Sequence, residues 1–292
     1  MPWIQLTLLT DKASNEKAEQ ALLDAGALSV TFKDAEDNPV LEPLPGETPL
    51  WESIILTGLY EADINTENLK QQIRRQLGHE TQLKLEALED KDWVRAWMDD
   101  YKPMQFGHHL WVCPKHIPPP QPDAVNLMLD PGLAFGTGTH PTTALCLEWL
   151  DSANIQNRQV LDFGCGSGVL AIAALLLGAE HCDATDIDPQ AITASKDNAI
   201  ANQVSEKLDL FLPADMPDKT YDIVLANILA GPLTELAEQL ARYCKPGANI
   251  VLSGILETQA EKIIKAYTPW FQLDPVVIKD DWIRVTGQKL LP

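Results

Sequence analysis

From Gln159 to Ser253 the chain alternates short apolar runs with helical stretches, and this alternation constrains the fold more than any other feature. Gln159 to Phe163, Cys182 to Thr185, Leu208 to Leu212, Tyr221 to Ala226 and Asn249 to Ser253 read as strands. Val169 to Leu177 and Pro189 to Ala201 read as helices between them. Strand then helix, repeated, is the pattern of a parallel sheet covered on both faces. Phe271 to Ile278 and Trp282 to Gln288 read as two more strands around Lys279 to Asp281, a connection short enough to force an antiparallel pair. The expected fold is α/β: a Rossmann-like, mostly parallel sheet with an antiparallel C-terminal hairpin.

The 292 residues exceed one typical domain, so two are expected. Strand signals at Trp3 to Leu9, Ala27 to Lys33, Glu52 to Tyr60 and Gln82 to Leu88 enclose helices at Ser14 to Ala25 and Thr66 to Leu77. Ser14 is the expected N-cap, and Gly26 and Gly78 end the helices. The order βαββαβ predicts a small ferredoxin-like α+β domain over residues 1–88. A Pro-rich loop through Pro39, Pro43, Pro45 and Pro49 interrupts it. Residues 89–104, with Trp93 and Trp97, read as a helical linker, and residues 105–292 as the larger domain. Pro114 to Pro122 reads as a surface loop.

Four segments carry chemistry. Leu161-Asp162-Phe163-Gly164-Cys165-Gly166-Ser167-Gly168 lies where a strand turns into a helix. Glycines there let the backbone approach a ligand, and the helix start offers unpaired N–H groups. A nicotinamide fingerprint needs glycine where Val169 stands, so that alternative loses ground, while a tight turn without ligand stays open. Asp186 ends the next strand, where a carboxylate can accept both hydroxyls of a ribose. Asp188 is positioned to cap the helix that Pro189 opens. Asp215 is either a partner for an adenine amino group or a plain loop residue.

The third segment, Asn227-Ile228-Leu229-Ala230-Gly231-Pro232, follows a strand. The Asn227 amide oxygen and the Ile228 carbonyl can accept two amine hydrogens and aim the nitrogen lone pair at a methyl carbon. Enzymes that methylate planar amides or adenine carry an aromatic ring where Ala230 stands, so a tetrahedral amine fits better. The fourth is the loop Pro131 to Thr143, in which three glycines, four threonines and His140 are costly to order without a ligand. Thr143 is a candidate for the methionine end of the methyl donor, Phe135 for covering its sulfonium, and His140 for the acceptor amine. A solvated loop histidine is the competing reading for His140.

Asp plus Glu outnumber Lys plus Arg by 42 to 22, a net charge of −20. Such a surface argues against phosphate-led nucleic-acid binding and suits a basic partner, or simply solubility. The five cysteines form no CxxC pair, so neither zinc nor disulfides are expected and no metal is assigned. Asp11 interrupts any signal peptide, and the longest apolar run, Val169 to Ala179, is about half the ~20 residues of a membrane span. The expectation is a cytoplasmic protein that does not engage membranes.

The loop ending Gly136-Thr137-Gly138-Thr139-His140-Pro141-Thr142-Thr143, joined to Asp162 to Gly168, Asp186 to Pro189 and Asn227 to Pro232, resembles the bacterial ribosomal protein L11 methyltransferase family. The resemblance extends to the Met-Pro-Trp-Ile-Gln start and the Leu44 to Thr48 loop. It implies a class I methyltransferase using S-adenosylmethionine, with cofactor contacts at Thr143, Gly164, Asp186 and Asn227, to which Gly166 and Phe135 are added as neighbours. It implies trimethylation of the α-amine and lysine amines of a basic ribosomal protein. It also implies substrate recognition by the N-terminal domain and a linker that lets the catalytic domain reach several amines. Another protein or amide substrate, and a nicotinamide-dependent oxidoreductase, are the alternatives.

Overall fold

A computed structural model describes residues 3–36, 50–88, 102–129 and 140–291. The chain divides into two compact units, Met1–Ala96 and Trp97–Pro292. The Pro-rich loop, the expected linker helix over 89–101 and most of the 131–143 loop, Phe135 included, lie outside the described residues.

The first unit runs β1 (Trp3–Asp11), α1 (Asn15–Asp24), β2 (Ser29–Asp34), β3 (Ser53–Tyr60), α2 (Thr66–Leu77) and β4 (Leu83–Leu88). Its sheet is antiparallel throughout, in the order β2-β3-β1-β4. Alternation drives it: Ile54, Leu56 and Tyr60 of β3 are buried together with Leu6 and Leu8 of β1, while the intervening side chains are part-exposed. The helices close over that face through Leu22, Leu69 and Ile73. Asn65 caps α2 by accepting from the Asn68 N–H at 3.0 Å, and Gly78 leaves it at φ +110°. Ser14 occupies the N-cap of α1 without a side-chain cap; Asp11 Oδ1 instead accepts the Ser14 N–H at 2.8 Å.

The second unit begins with a three-stranded sheet absent from the sequence reading: β5 (Met104–Phe106), β6 (Leu110–Cys113) and β7 (Val125–Met128). These strands are three or four residues long, too short for periodicity to register. Then follow α3 (Pro141–Ser152), β8 (Gln159–Phe163), α4 (Val169–Leu176), β9 (His181–Thr185), α5 (Pro189–Ala201), β10 (Leu208–Phe211) and β11 (Tyr221–Asn227). The chain finishes with α6 (Ala230–Glu235), α7 (Ala237–Tyr243), β12 (Cys244–Leu256), α8 (Ala260–Tyr267), β13 (Phe271–Leu273), β14 (Val277–Lys279) and β15 (Trp282–Lys289). The main sheet runs β10-β9-β8-β11-β12-β15-β13, parallel up to β12 and antiparallel beyond.

Two expectations change at the sheet edge. The run Phe271 to Ile278 is not one strand but two, β13 and β14, which pair with opposite ends of β15. Pro275 has no N–H to continue the ladder, and the break is held by the Thr286 hydroxyl donating to Asp274 Oδ2 at 2.8 Å. The strand expected at Asn249 to Ser253 extends over thirteen residues.

Strand order reverses between β8 and β11, where neighbouring crossovers leave in opposite directions. That switch point opens a crevice beyond the carboxyl ends of the strands. Among the described residues no helix is long and apolar enough to cross a membrane.

Candidate active site

A cavity of about 540 Å³ opens at this switch point, within the usual range of small-molecule sites. Its walls include Phe163, Gly164 and Gly166 at the end of β8, Thr185 to Ile187 at the end of β9, Asn227 to Leu229 at the end of β11, and Gly254 and Trp282 from β12 and β15. The β8 loop turns through three positive-φ glycines: Gly164 at +80°, Gly166 at +54° and Gly168 at +78°. A Cβ on Gly164 would overlap Ile228 Cγ2, so glycine keeps this wall open.

Asp186 is fixed by its own surroundings. Its Oδ2 accepts the Gly166 N–H at 2.9 Å and its Oδ1 the Asp188 N–H at 3.0 Å. Each oxygen keeps a lone pair for a hydroxyl. Asp188 Oδ1 caps α5 by accepting the Gln190 N–H at 2.8 Å, with Pro189 opening the helix. Asp215 lies in a short 3₁₀ turn; Pro213 of that turn lines the cavity and Asp215 does not.

Asn227 is the most informative side chain. Its Nδ2 donates to Thr143 Oγ1 at 3.2 Å, while its buried Oδ1 has no hydrogen-bond partner among the described residues. Thr185 Oγ1, on the same cavity, is likewise buried without one. An unpaired buried acceptor costs about 1–3 kcal/mol unless a ligand supplies the donor. Thr143 itself is fully buried and does not line the cavity; it reaches the site through Asn227. Its neighbour Thr142 lines the cavity instead, because successive helical residues point about 100° apart.

His140 is not a solvated loop residue. It caps α3, its Nδ1 accepting the Thr142 N–H at 3.4 Å and lying 2.8 Å from Thr142 Oγ1. Burial lowers its pKa, so the ring is neutral at pH 7. A neutral ring whose Nδ1 accepts carries its proton on Nε2. If Nδ1 instead donates to Thr142 Oγ1, the proton sits there and Nε2 is the acceptor, so the geometry is compatible with both the donor and the base role for His140. The ring packs edge-on against Trp282, centroids 4.8 Å apart.

Beneath the glycine loop, Asp162 is fully buried and accepts the Ala171 N–H at 3.0 Å. Desolvation raises its pKa to about 7, opposed by the Ala171 hydrogen bond and reinforced by the Asp186 charge. Away from the cavity, His181, Asp183 and Asp209 lie close enough to hold a metal. Asp183 already has Lys219 Nζ at 2.8 Å and the Tyr221 hydroxyl at 2.6 Å, so this is a satisfied charge network.

The sequence reading names Gly164, Gly166, Asp186, Asn227, Ile228 and His140, and all six line one cavity. It misses Trp282 and Gly254, which come from strands remote along the chain, and Leu236, between α6 and α7; none carries a local motif.

Comparison with known proteins shows the family. A family model described as "Ribosomal protein L11 methyltransferase (PrmA)" matches residues 2–290. A protein of that name from Photorhabdus laumondii is 55% identical, covering 99% of each chain. Another from Serratia proteamaculans is 54% identical over 99% of this chain and 100% of its own. A crystal structure of "ribosomal protein L11 methylase" from Lactobacillus delbrueckii subsp. bulgaricus matches with TM-score 0.60 and 35% identity, covering 65% of this chain and 100% of that one.

Proposed function

The chain belongs to the ribosomal protein L11 methyltransferase family, whose methyl donor is S-adenosylmethionine, and on that premise we propose that it methylates the α-amine and lysine amines of ribosomal protein L11. The observation that carries the amine reading is the buried, unpartnered Oδ1 of Asn227 at the end of β11. The nicotinamide-dependent alternative falls with the family match.

The residues present fit the methyl donor. Gly164 and Gly166 give it close backbone approach, Asp186 accepts its ribose hydroxyls, and exposed Ile187 offers an apolar face for its base. When bound, it supplies a methyl carbon activated by a sulfonium. Thr143 accepts from Nδ2 and so fixes the plane of the Asn227 amide, whose Oδ1 in this reading accepts one amine hydrogen. The Ile228 carbonyl accepts a second. Together they restrict the nitrogen lone pair to one direction, which is catalysis by positioning.

A lysine amine with pKa near ~10.4 is neutral in fewer than about one molecule in a thousand at pH 7. The apolar walls, with Pro213, Leu229, Pro232, Leu236 and Trp282, disfavour the ammonium and lower that pKa. The α-amine, with a pKa near ~8, needs less help. The N-terminal unit binds the protein substrate, and the acidic chain attracts a basic one in the cytoplasm, where ribosomes are made.

The test is intact-mass spectrometry of unmodified ribosomal protein L11 after incubation with the enzyme and S-adenosylmethionine. Mass gains in methylene steps that map to amines support the reading. No gain, with cofactor binding confirmed by calorimetry, discards the substrate.

A further inference from the structure

Ile228 is held from two sides, and its backbone side belongs to a residue with no role so far. Strand β12 pairs with β15 as Leu252 opposite Val285, then resumes as Ile255 opposite Ile283. Ser253 and Gly254 therefore face the single residue Arg284, a β-bulge. Bulges re-aim the chain, and this one carries Gly254 at φ +83° onto the cavity wall. The buried Ser253 hydroxyl pins the distortion by donating to the Ile283 carbonyl at 3.0 Å.

A Cβ on Gly254 would overlap the Ile228 carbonyl oxygen and stand 2.7 Å from its carbon and 3.1 Å from its nitrogen. All three atoms are backbone. A Cβ on Gly164, by contrast, would meet only the Ile228 side chain. Gly164 sets where the Ile228 side chain rests, and Gly254 sets where its peptide rests.

We propose that Gly254, presented by the β12 bulge, is a positioning residue for methyl transfer: it fixes the Ile228 peptide, and so the spacing between the Ile228 carbonyl and Asn227 Oδ1 that receives the acceptor amine. This rests on the reading that those two oxygens meet the amine. Backbone atoms cannot rotate out of the way as a side-chain tip does, so any β-carbon at position 254 moves the carbonyl. A displacement of about 1 Å costs on the order of 100-fold in rate.

The experiment measures kcat, KM and S-adenosylhomocysteine affinity for Gly254→Ala, Gly254→Asn, Gly164→Ala and the doubles with Ile228→Ala, using whole enzyme and ribosomal protein L11. Gly254→Ala is expected to lose about 100-fold in kcat, with KM and cofactor affinity within about threefold. Gly254→Asn tolerates positive φ yet keeps a β-carbon, so it shows the same loss with less strain on folding. Ile228→Ala restores part of the rate to Gly164→Ala but none to Gly254→Ala. Near-normal kcat in Gly254→Ala or Gly254→Asn overturns the proposal, as does rescue of Gly254→Ala by Ile228→Ala. Inactivity of the wild-type enzyme on ribosomal protein L11 sinks the substrate reading instead.

Discussion

Asp162 sits at the base of the cofactor loop in a setting that disfavours its charge, and replacing it with asparagine tests how that loop is held. The side chain is fully buried, one oxygen accepts the Ala171 N–H, and the other has no partner among the described residues. Burial lifts its pKa to about 7, against about 3.9 in an unfolded chain. Between those values the folded state binds a proton that the unfolded state has lost. Stability from this group is therefore complete below about pH 4 and declines as pH rises to about 7, with no further change above. About three pKa units at 1.36 kcal/mol each give roughly 4 kcal/mol. That is a large share of a typical total of about 5–15 kcal/mol. Asp162→Asn cannot titrate, so its own curve lacks this slope. Equilibrium urea unfolding of both proteins at pH 5 and pH 8 isolates it. Wild type minus variant should fall by roughly 2–3 kcal/mol between the two, since about 1.5 kcal/mol is already lost by pH 5. An unchanged difference would refute the picture of a carboxyl kept protonated by burial.

Asn227→Ala should lower kcat by about 100-fold while leaving S-adenosylhomocysteine affinity within about threefold, read by single-turnover methylation and calorimetry; equal losses would assign Asn227 to the cofactor pocket alone. Asp186→Ala removes the acceptor of the Gly166 and Asp188 N–H groups together with the proposed ribose contact, and should weaken S-adenosylhomocysteine binding by at least about tenfold. Unaltered affinity would move the ribose elsewhere. Tyr221→Phe leaves buried Asp183 without its 2.6 Å donor and should destabilise by about 1–3 kcal/mol in urea unfolding, with cofactor affinity kept. A change below about 0.5 kcal/mol would mean that Lys219 and His181 satisfy Asp183 unaided.

Much of the architecture was legible along the chain because it is written in local rules. Helices Thr66–Leu77 and Pro189–Ala201 and strand Gln159–Phe163 fall where caps, glycines and apolar runs put them. Gly164, Gly166 and Asp186, which line the cavity and are proposed to hold the methyl donor, were readable because close ligand approach demands glycine after one strand and ribose binding an acid after the next. Other features depend on partners far along the chain. Strand β12 is thirteen residues long because β11 and β15 flank it, although its first residues, with Pro246 and Gly247, carry no strand signal of their own. His140 reads as a loop residue until α3 begins beside it, and only then does Nδ1 become a cap. Thr143 and Asn227 lie 84 positions apart, and their hydrogen bond fixes the orientation of the Asn227 amide. Trp282 and Gly254 enter the site through sheet register and a bulge, which arise from pairing between strands. The sequence by itself determined the fold class and the cofactor loops, because both follow from short-range periodicity and backbone sterics. The tertiary structure decided the acceptor side of the cavity, because its walls are set by how distant strands pair and where that pairing slips.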